Sequence, residues 1–298
     1  MKPNTRLEEA LKDCPPELKP HYRKLLDGTD QEEVAVPEFL TLAEMKAQAD
    51  LEPEIAVRST GWSDLDRIAA GGIAEGESIL LASQTGAGKT HFAVNLAINY
   101  AHKNHRVCYL TLEDGWRMVL DRFKKMDGAG DSLSNVFMIR EDELTMQNAT
   151  ETVKNAIEDS ELVIVDNLFA LPLRQTAKGD YWSSQAEWVD DICNMVRSSH
   201  SSCLFLHHLN KQKGGTEAER YQVAGSTRLM NRVAQVWLLI RPEGEERTIS
   251  IKSEKNRRSP SKGECFLKSQ DSGRLVSVYT PEIDPRMRQF THQYKLDS

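Results

Sequence analysis

From about residue 60 onward, short apolar runs alternate with stretches of helical periodicity. The runs span 78–82, 107–111, 162–165, 203–206 and 236–240, followed by 248–252. Each reads as a strand, and the stretches 91–102, 115–125, 145–158 and 184–198 read as helices between them. Such alternation is the signature of βαβ units, so the pattern predicts an α/β fold: a central, mostly parallel twisted sheet flanked by helices. The first 54 residues differ, being polar and proline-bearing, with helical patterns at 16–26 and 37–49 and no core of their own. There Leu40, Leu42, Met45 and Ala49 recur at loosely helical spacing, an apolar face that can dock on a neighbouring surface or on its own domain. The expected organisation is therefore a polar segment with a short helical arm at 1–57, a main domain at 58–280 and a loosely held tail at 281–298.

A chain of 298 residues, 39% hydrophobic, can bury one sizeable core, which fits a single main domain. Cys14, Cys108, Cys193, Cys203 and Cys265 lie far apart, without a CxxC pair, so neither a disulfide framework nor a zinc site is expected, and a reducing cytoplasm fits best. No stretch approaches the roughly 20 apolar residues that span a bilayer, so no membrane partner is expected. The net charge of −7 restricts any nucleic-acid contact to a local patch. One basic cluster is Lys252, Lys255, Arg257, Arg258 and Lys262; another is Lys211, Lys213, Arg220 and Arg228.

The chemistry begins with Ser83-Gln84-Thr85-Gly86-Ala87-Gly88-Lys89-Thr90, directly after one apolar run and before a helical pattern. This is a phosphate-binding loop in the right context. Glycines let backbone N–H groups converge on phosphate oxygens, and the following helix N-terminus adds a favourable dipole. Lys89 is expected on the β and γ phosphates of ATP and the Thr90 hydroxyl on Mg²⁺. Ser83 stands where the strict pattern has glycine. A second run, Leu162 to Val165, ends in Asp166, a carboxylate placed to order the water shell of Mg²⁺. A water-polarising carboxylate is expected at the end of the 107–112 run, either Glu113 or its neighbour Asp114.

Residues 58–279 resemble the hexameric replicative helicases of the DnaB type and the helicase half of phage primase-helicases, which implies a RecA-like P-loop NTPase core. The likeness starts at Thr60-Gly61-Trp62-Ser63-Asp64-Leu65-Asp66, followed by Gly71-Gly72. It implies that Glu113, in the pair Leu112-Glu113, is the catalytic base, and that Ser83 is an ordinary opening for the loop. It also aligns His208, rather than His207, with a strand-end γ-phosphate sensor. The segment Val223 to Leu229 resembles the close of a DNA-facing loop, which would place Lys211, Lys213 and Arg220 on single-stranded DNA. Here Gln222-Val223-Ala224 replaces the acidic-plus-arginine opening usual in that family. Lys255-Asn256-Arg257 resembles an element that reaches into the neighbouring subunit's nucleotide site, with Arg257 as arginine finger and Arg258 as the adjacent alternative.

A finger supplied in trans implies a homo-oligomer, by resemblance a ring of six. The resemblance thus implies a cytoplasmic helicase in a bacterium, phage or mobile element, moving 5′ to 3′ in replication, with primase, loader or polymerase encoded separately. Tyr181 and Trp182, expected in the loop after Asp166, either stack on bases or cover a core edge. Two other classes fit the same motifs: a recombinase filament like RecA or RadA, and a nucleotide-switched regulatory ATPase.

Overall fold

The computed structural model describes residues 41–51, 53–127, 131–173, 181–211, 221–223, 227–260 and 263–278. The chain divides into two compact units, Met1–Glu54 and Ile55–Ser298. In the first, helix α1 (Leu42–Ala49) opens with Thr41, whose backbone N–H and hydroxyl both donate to Glu44 at 2.8 Å, closing the helix N-terminus. Leu42 and Met45 of α1 are exposed. The helical pattern expected at 16–26, and the tail beyond Val278, fall outside the described residues.

The second unit is built on strands β1 (Val57–Arg58), β2 (Ile73–Ala74), β3 (Ser78–Ser83), β4 (Val107–Thr111), β5 (Val136–Ile139), β6 (Leu162–Asp166), β7 (Ser202–Lys211), β8 (Tyr221–Val223), β9 (Gln235–Ile240), β10 (Thr248–Asn256), β11 (Glu264–Ser269) and β12 (Leu275–Ser277). Its helices are α2 (Ser63–Ile68), α3 (Lys89–Ala101), α4 (Trp116–Asp127), α5 (Ala149–Asp159), α6 (Tyr181–Arg197) and α7 (Thr227–Arg232). The main sheet runs β12-β11-β10-β9-β3-β7-β6-β4-β5, with β8 paired to β7. From β9 to β5 all neighbours are parallel, whereas β10, β11 and β12 continue the sheet antiparallel.

The central strands read as unbroken apolar runs because helices cover both sheet faces. Ile79, Leu81, Leu162, Ile164, Leu204 and Leu206 face one apolar cluster, which includes α3 and Phe123 of α4. Leu80, Ala82, Val163, Val165, Cys203 and Phe205 face the other, filled by α5 and by Trp188, Val189 and Ile192 of α6. Helix α3, which follows the phosphate loop, is buried along almost its whole length.

The Thr60–Asp66 segment puts its polar residues to structural use. Asp66 accepts the Thr60 N–H and hydroxyl, each at 2.7 Å, and the Ser59 hydroxyl at 2.5 Å. Asn99 of α3 donates to the Thr60 carbonyl at 2.9 Å, and Trp62 stacks on Phe92 of α3 while its indole N–H reaches the Leu275 carbonyl. Gly61 has φ of 90°, and a Cβ there would collide with the Asn99 side chain. The segment therefore ties the unit's entrance to the phosphate-loop helix.

Tyr181 and Trp182 begin helix α6 and are not in a loop, which corrects the expectation from sequence. Helices α2 and α7 and strands β1, β2, β5, β8, β11 and β12 add to the elements that the apolar pattern marked.

Candidate nucleotide site

Strand β3 delivers the Ser83–Thr90 turn to the carboxyl edge of the parallel strands, and α3 starts at Lys89. Gly86 and Gly88 have φ of 78° and 112°, conformations that side chains with a Cβ rarely adopt. The turn opens onto a cleft of about 500 Å³, lined in part by Thr85, Lys89, Thr90, Glu113, Asp114 and His208. Arg241, Arg247 and Ile249 line it as well.

Lys89 is buried, and its ammonium donates to the Ser83 hydroxyl at 3.2 Å and lies 3.1 Å from Nδ1 of His208. Burial pulls its pKa below the usual lysine range, while Glu113 and Asp166 pull the other way. The Ser83 hydroxyl itself donates to the Gln84 carbonyl at 2.9 Å, so a serine here supports both the turn and the lysine.

Asp166 ends β6 beneath this turn. The Tyr109 hydroxyl of β4 donates to its Oδ2 at 2.6 Å, and its Oδ1 is buried with no partner at hydrogen-bonding geometry. Burial raises the carboxyl above the usual range, against the opposing help of the Tyr109 and Thr90 hydroxyls. The peptide bond from Asp166 to Asn167 is cis.

Glu113 and His208 converge over the same cleft. Nε2 of His208 lies 3.2 Å from Oε2 of Glu113 and 2.9 Å from the Asn167 amide nitrogen, and that amide also donates to Glu113. Nδ1 of His208 faces the Thr85 hydroxyl at 3.3 Å. His207 is fully buried, away from the cleft lining. Asp114 is held by Arg122 at 2.5 Å, leaving Glu113 as the exposed carboxylate of the pair.

Lys255 and Arg257 stand elsewhere. They lie at the end of β10, where Asn256 pairs with Gln235, the residue beside Ile79 at the opposite end of β3 from Ser83. The four residue steps from Ile79 to Ser83 correspond to roughly 13 Å of strand, so Arg257 lies on the far edge from its own phosphate loop. The Lys255 ammonium donates to the carbonyls of Met230, Asn231 and Val233 at 2.6, 3.0 and 2.8 Å. Burial, reinforced by Arg257, pushes its pKa down to about 8. Arg257 is exposed, donates to the Asn231 carbonyl at 2.6 Å, and borders an open hollow with Arg197 and Arg232.

Arg258 is taken up within its own chain: it donates to Glu77 at 2.7 Å and to the carbonyls of Ala69, Ala70 and Gly72. Lys252 pairs with Glu254 at 2.6 Å, so the 252–258 cations are largely engaged internally rather than forming an open basic face. Lys211 ends strand β7, which pairs with β8 through Lys211 and Tyr221; Lys213 and Arg220 lie outside the described residues.

Asn167, Tyr109, Arg122 and Arg241 were not foreseen from the sequence. A buried strand tyrosine demands a hydroxyl partner, which was a usable signal for Tyr109; Asn167 carried none beyond its place after Asp166.

The sheet, the turn between β3 and α3 and the carboxylates around it define a RecA-like P-loop ATPase. Residues 59–214, more than half of the chain, match the model of the family described as AAA domain, and the chain belongs to that family. It is 24% identical over 203 residues to the DNA repair protein RadA of Haemophilus influenzae, covering 67% of this chain and 40% of that protein. The chain thus spans less than half the length of that curated relative. The fold is similar to a DnaB-like replicative helicase whose structure was described with its primase interactions, with TM-score 0.64 and 16% identity, covering 91% of this chain and 74% of that one. It is also similar to a KaiC-like protein of the archaeon Pyrococcus horikoshii, with TM-score 0.60 and 14% identity over 76% of this chain and all of that one. Among the described residues, no helix is long and apolar enough to cross a membrane.

Proposed function

We propose that the chain is an ATP-hydrolysing translocase that assembles into a ring, six-membered by resemblance to DnaB-type helicases, and moves 5′ to 3′ along single-stranded DNA in replication. One observation carries this reading: Lys89, Glu113 and His208 gather at one sheet edge while Arg257 stands exposed at the opposite edge. A guanidinium so placed cannot serve its own subunit's phosphates but can serve those of a neighbour stacked edge to edge. The reading takes 58–280 as the motor, 1–57 as an arm and 281–298 as a tail, in a cytoplasmic protein with a separate primase, loader or polymerase as partner.

In this reading the turn from Ser83 to Thr90 cradles the β and γ phosphates of ATP, with Lys89 as the counter-charge. Thr90 and Asp166 are the residues that would hold Mg²⁺, and the unpartnered Asp166 Oδ1 suits a hard cation's water shell. Bound there, Mg²⁺ would neutralise charge on the phosphates. Glu113 orients the attacking water, His208 senses the γ-phosphate, and Arg257 meets the charge that builds on a neighbour's γ-phosphate. Lys255, pinned on the end of α7, fixes the strand end that carries Arg257. Lys211, Lys213 and Arg220 are assigned to the DNA.

A strand-displacement assay on forked DNA, run with wild type and Lys89→Ala, tests the reading. ATP-dependent displacement by wild type, lost in the variant, is the expected outcome; equal displacement by both overturns it. The sequence likeness to RadA favours a second reading, a DNA-repair ATPase working as a filament. Open filaments and strand exchange without unwinding would select it.

A further inference from the structure

The four polar side chains over the phosphate loop form one hydrogen-bonded chain, and its protons can be assigned. Asn167 is buried, and its Oδ1 accepts the Phe169 N–H at 2.9 Å, which turns its amide nitrogen toward Glu113 and His208. The Lys89 ammonium, 3.1 Å from Nδ1 of His208, can only donate, so Nδ1 is an acceptor and the imidazole proton sits on Nε2. Nε2–H and the Asn167 amide then both donate to the same Oε2 of Glu113, and the two nitrogens face each other as donors at 2.9 Å, so this arrangement carries one unfavourable contact of its own. In this arrangement the carboxylate oxygen that would act on water is occupied by two donors.

The same contacts contain a second arrangement. A γ-phosphate that draws Lys89 away leaves Nδ1 free to carry the proton and donate to phosphate. Exchange with solvent moves that proton from Nε2 to Nδ1 with no net gain or loss. Bare Nε2 then presents its lone pair to Glu113 at 3.2 Å, an unfavourable contact, and to the Asn167 amide at 2.9 Å, a favourable one. Glu113, exposed and at a strand end, is the member free to leave.

We propose that Asn167 is a positioning residue that hands its amide N–H from Glu113 to His208 when triphosphate engages Lys89, so that the carboxylate is released only over a γ-phosphate. This inference rests on the ATPase reading above and goes beyond it in assigning the coupling to Asn167 and to the His208 tautomer.

The test uses the full chain with ¹⁵N-labelled histidine, the His208 ring signals being assigned by their loss in His208→Asn. Without nucleotide, the wild type should show the Nε2–H tautomer; with Mg²⁺ and β,γ-imido ATP it should show Nδ1–H. Asn167→Asp keeps an oxygen for the Phe169 N–H but replaces the donor with an acceptor. It should hold His208 as Nε2–H in both states and lower kcat roughly tenfold, the size of one hydrogen bond to a charged group, with KM nearly unchanged. A purely structural role for Asn167 predicts wild-type kcat and a normal tautomer change in that variant, and either result overturns the proposal. Should Asn167→Asp not fold, the wild-type tautomers decide alone: an unchanged His208 in a chain that hydrolyses ATP removes this inference but not the ATPase reading. A wild type that takes up no nucleotide removes both.

Discussion

The Tyr109 hydroxyl sits inside a hydrophobic strand and donates to the buried Asp166 carboxylate, so its removal leaves an acceptor that water cannot reach. Tyr109→Phe should cost about 1–3 kcal/mol of stability, the penalty for leaving a buried acceptor unmet, read as a lower urea midpoint at neutral pH. The sign with pH follows from the raised carboxyl. Between its ordinary value near 3.8 and its higher folded value the native state holds a proton that the unfolded chain has lost. Asp166 therefore withdraws stability as pH rises through that window, and Tyr109→Phe, which removes a hydrogen bond that favours the carboxylate, should raise the folded value further and extend the loss to higher pH. A midpoint unchanged at neutral pH would mean that the hydroxyl does not support Asp166. The places of Lys89, Thr90 and Asp166 were legible in the sequence, since the strand that ends in Asp166 and the turn into the helix that starts at Lys89 are marked by their motifs. Asn167 was not legible, since its contacts with Glu113 and His208 arise only when the ends of β4, β6 and β7 are brought side by side.

Among the elements, the lead-in to β3 is a clasp rather than a linker. Asp66 gathers three donors from Ser59 and Thr60, and Thr60 is fully buried. Asp66→Ala leaves the Thr60 N–H without its acceptor and should destabilise the unit by about 2–3 kcal/mol, measured by thermal or urea unfolding. A shift indistinguishable from zero would show that the clasp is dispensable. The strongly apolar strands β3, β4, β6, β7 and β9 could be read directly because burial on both faces leaves no alternation to interpret. Strand β5 is a sheet edge with a half-exposed pattern, and Phe137 is exposed, so its periodicity is weak. Strands β11 and β12 mix polar and apolar residues in the antiparallel extension, where one sheet face is less covered. The basic stretch near β10 shows the limit of reading charge by proximity: four cations between 252 and 258 suggest one face, yet Arg258 turns inward and Lys255 binds carbonyls.

For the whole molecule, the separation of Arg257 from the phosphate loop is the feature on which the proposed assembly rests. The chain's net charge of −7 is compatible with it, since positive charge is needed only where a neighbour's phosphates or a polynucleotide are met. Hydrolysis, in the proposed reading, is completed between two copies, one giving Glu113 and the other Arg257. ATP turnover by Arg257→Ala and Glu113→Gln proteins, each alone and mixed, with assembly followed by native mass, bears on this without intermediates. Each alone should be nearly inactive, and an equal mixture should regain turnover at about a quarter of its interfaces, those that join an intact Glu113 to an intact Arg257. Mixed assemblies that regain none, or an Arg257→Ala protein that turns over ATP at the wild-type rate, would contradict shared sites.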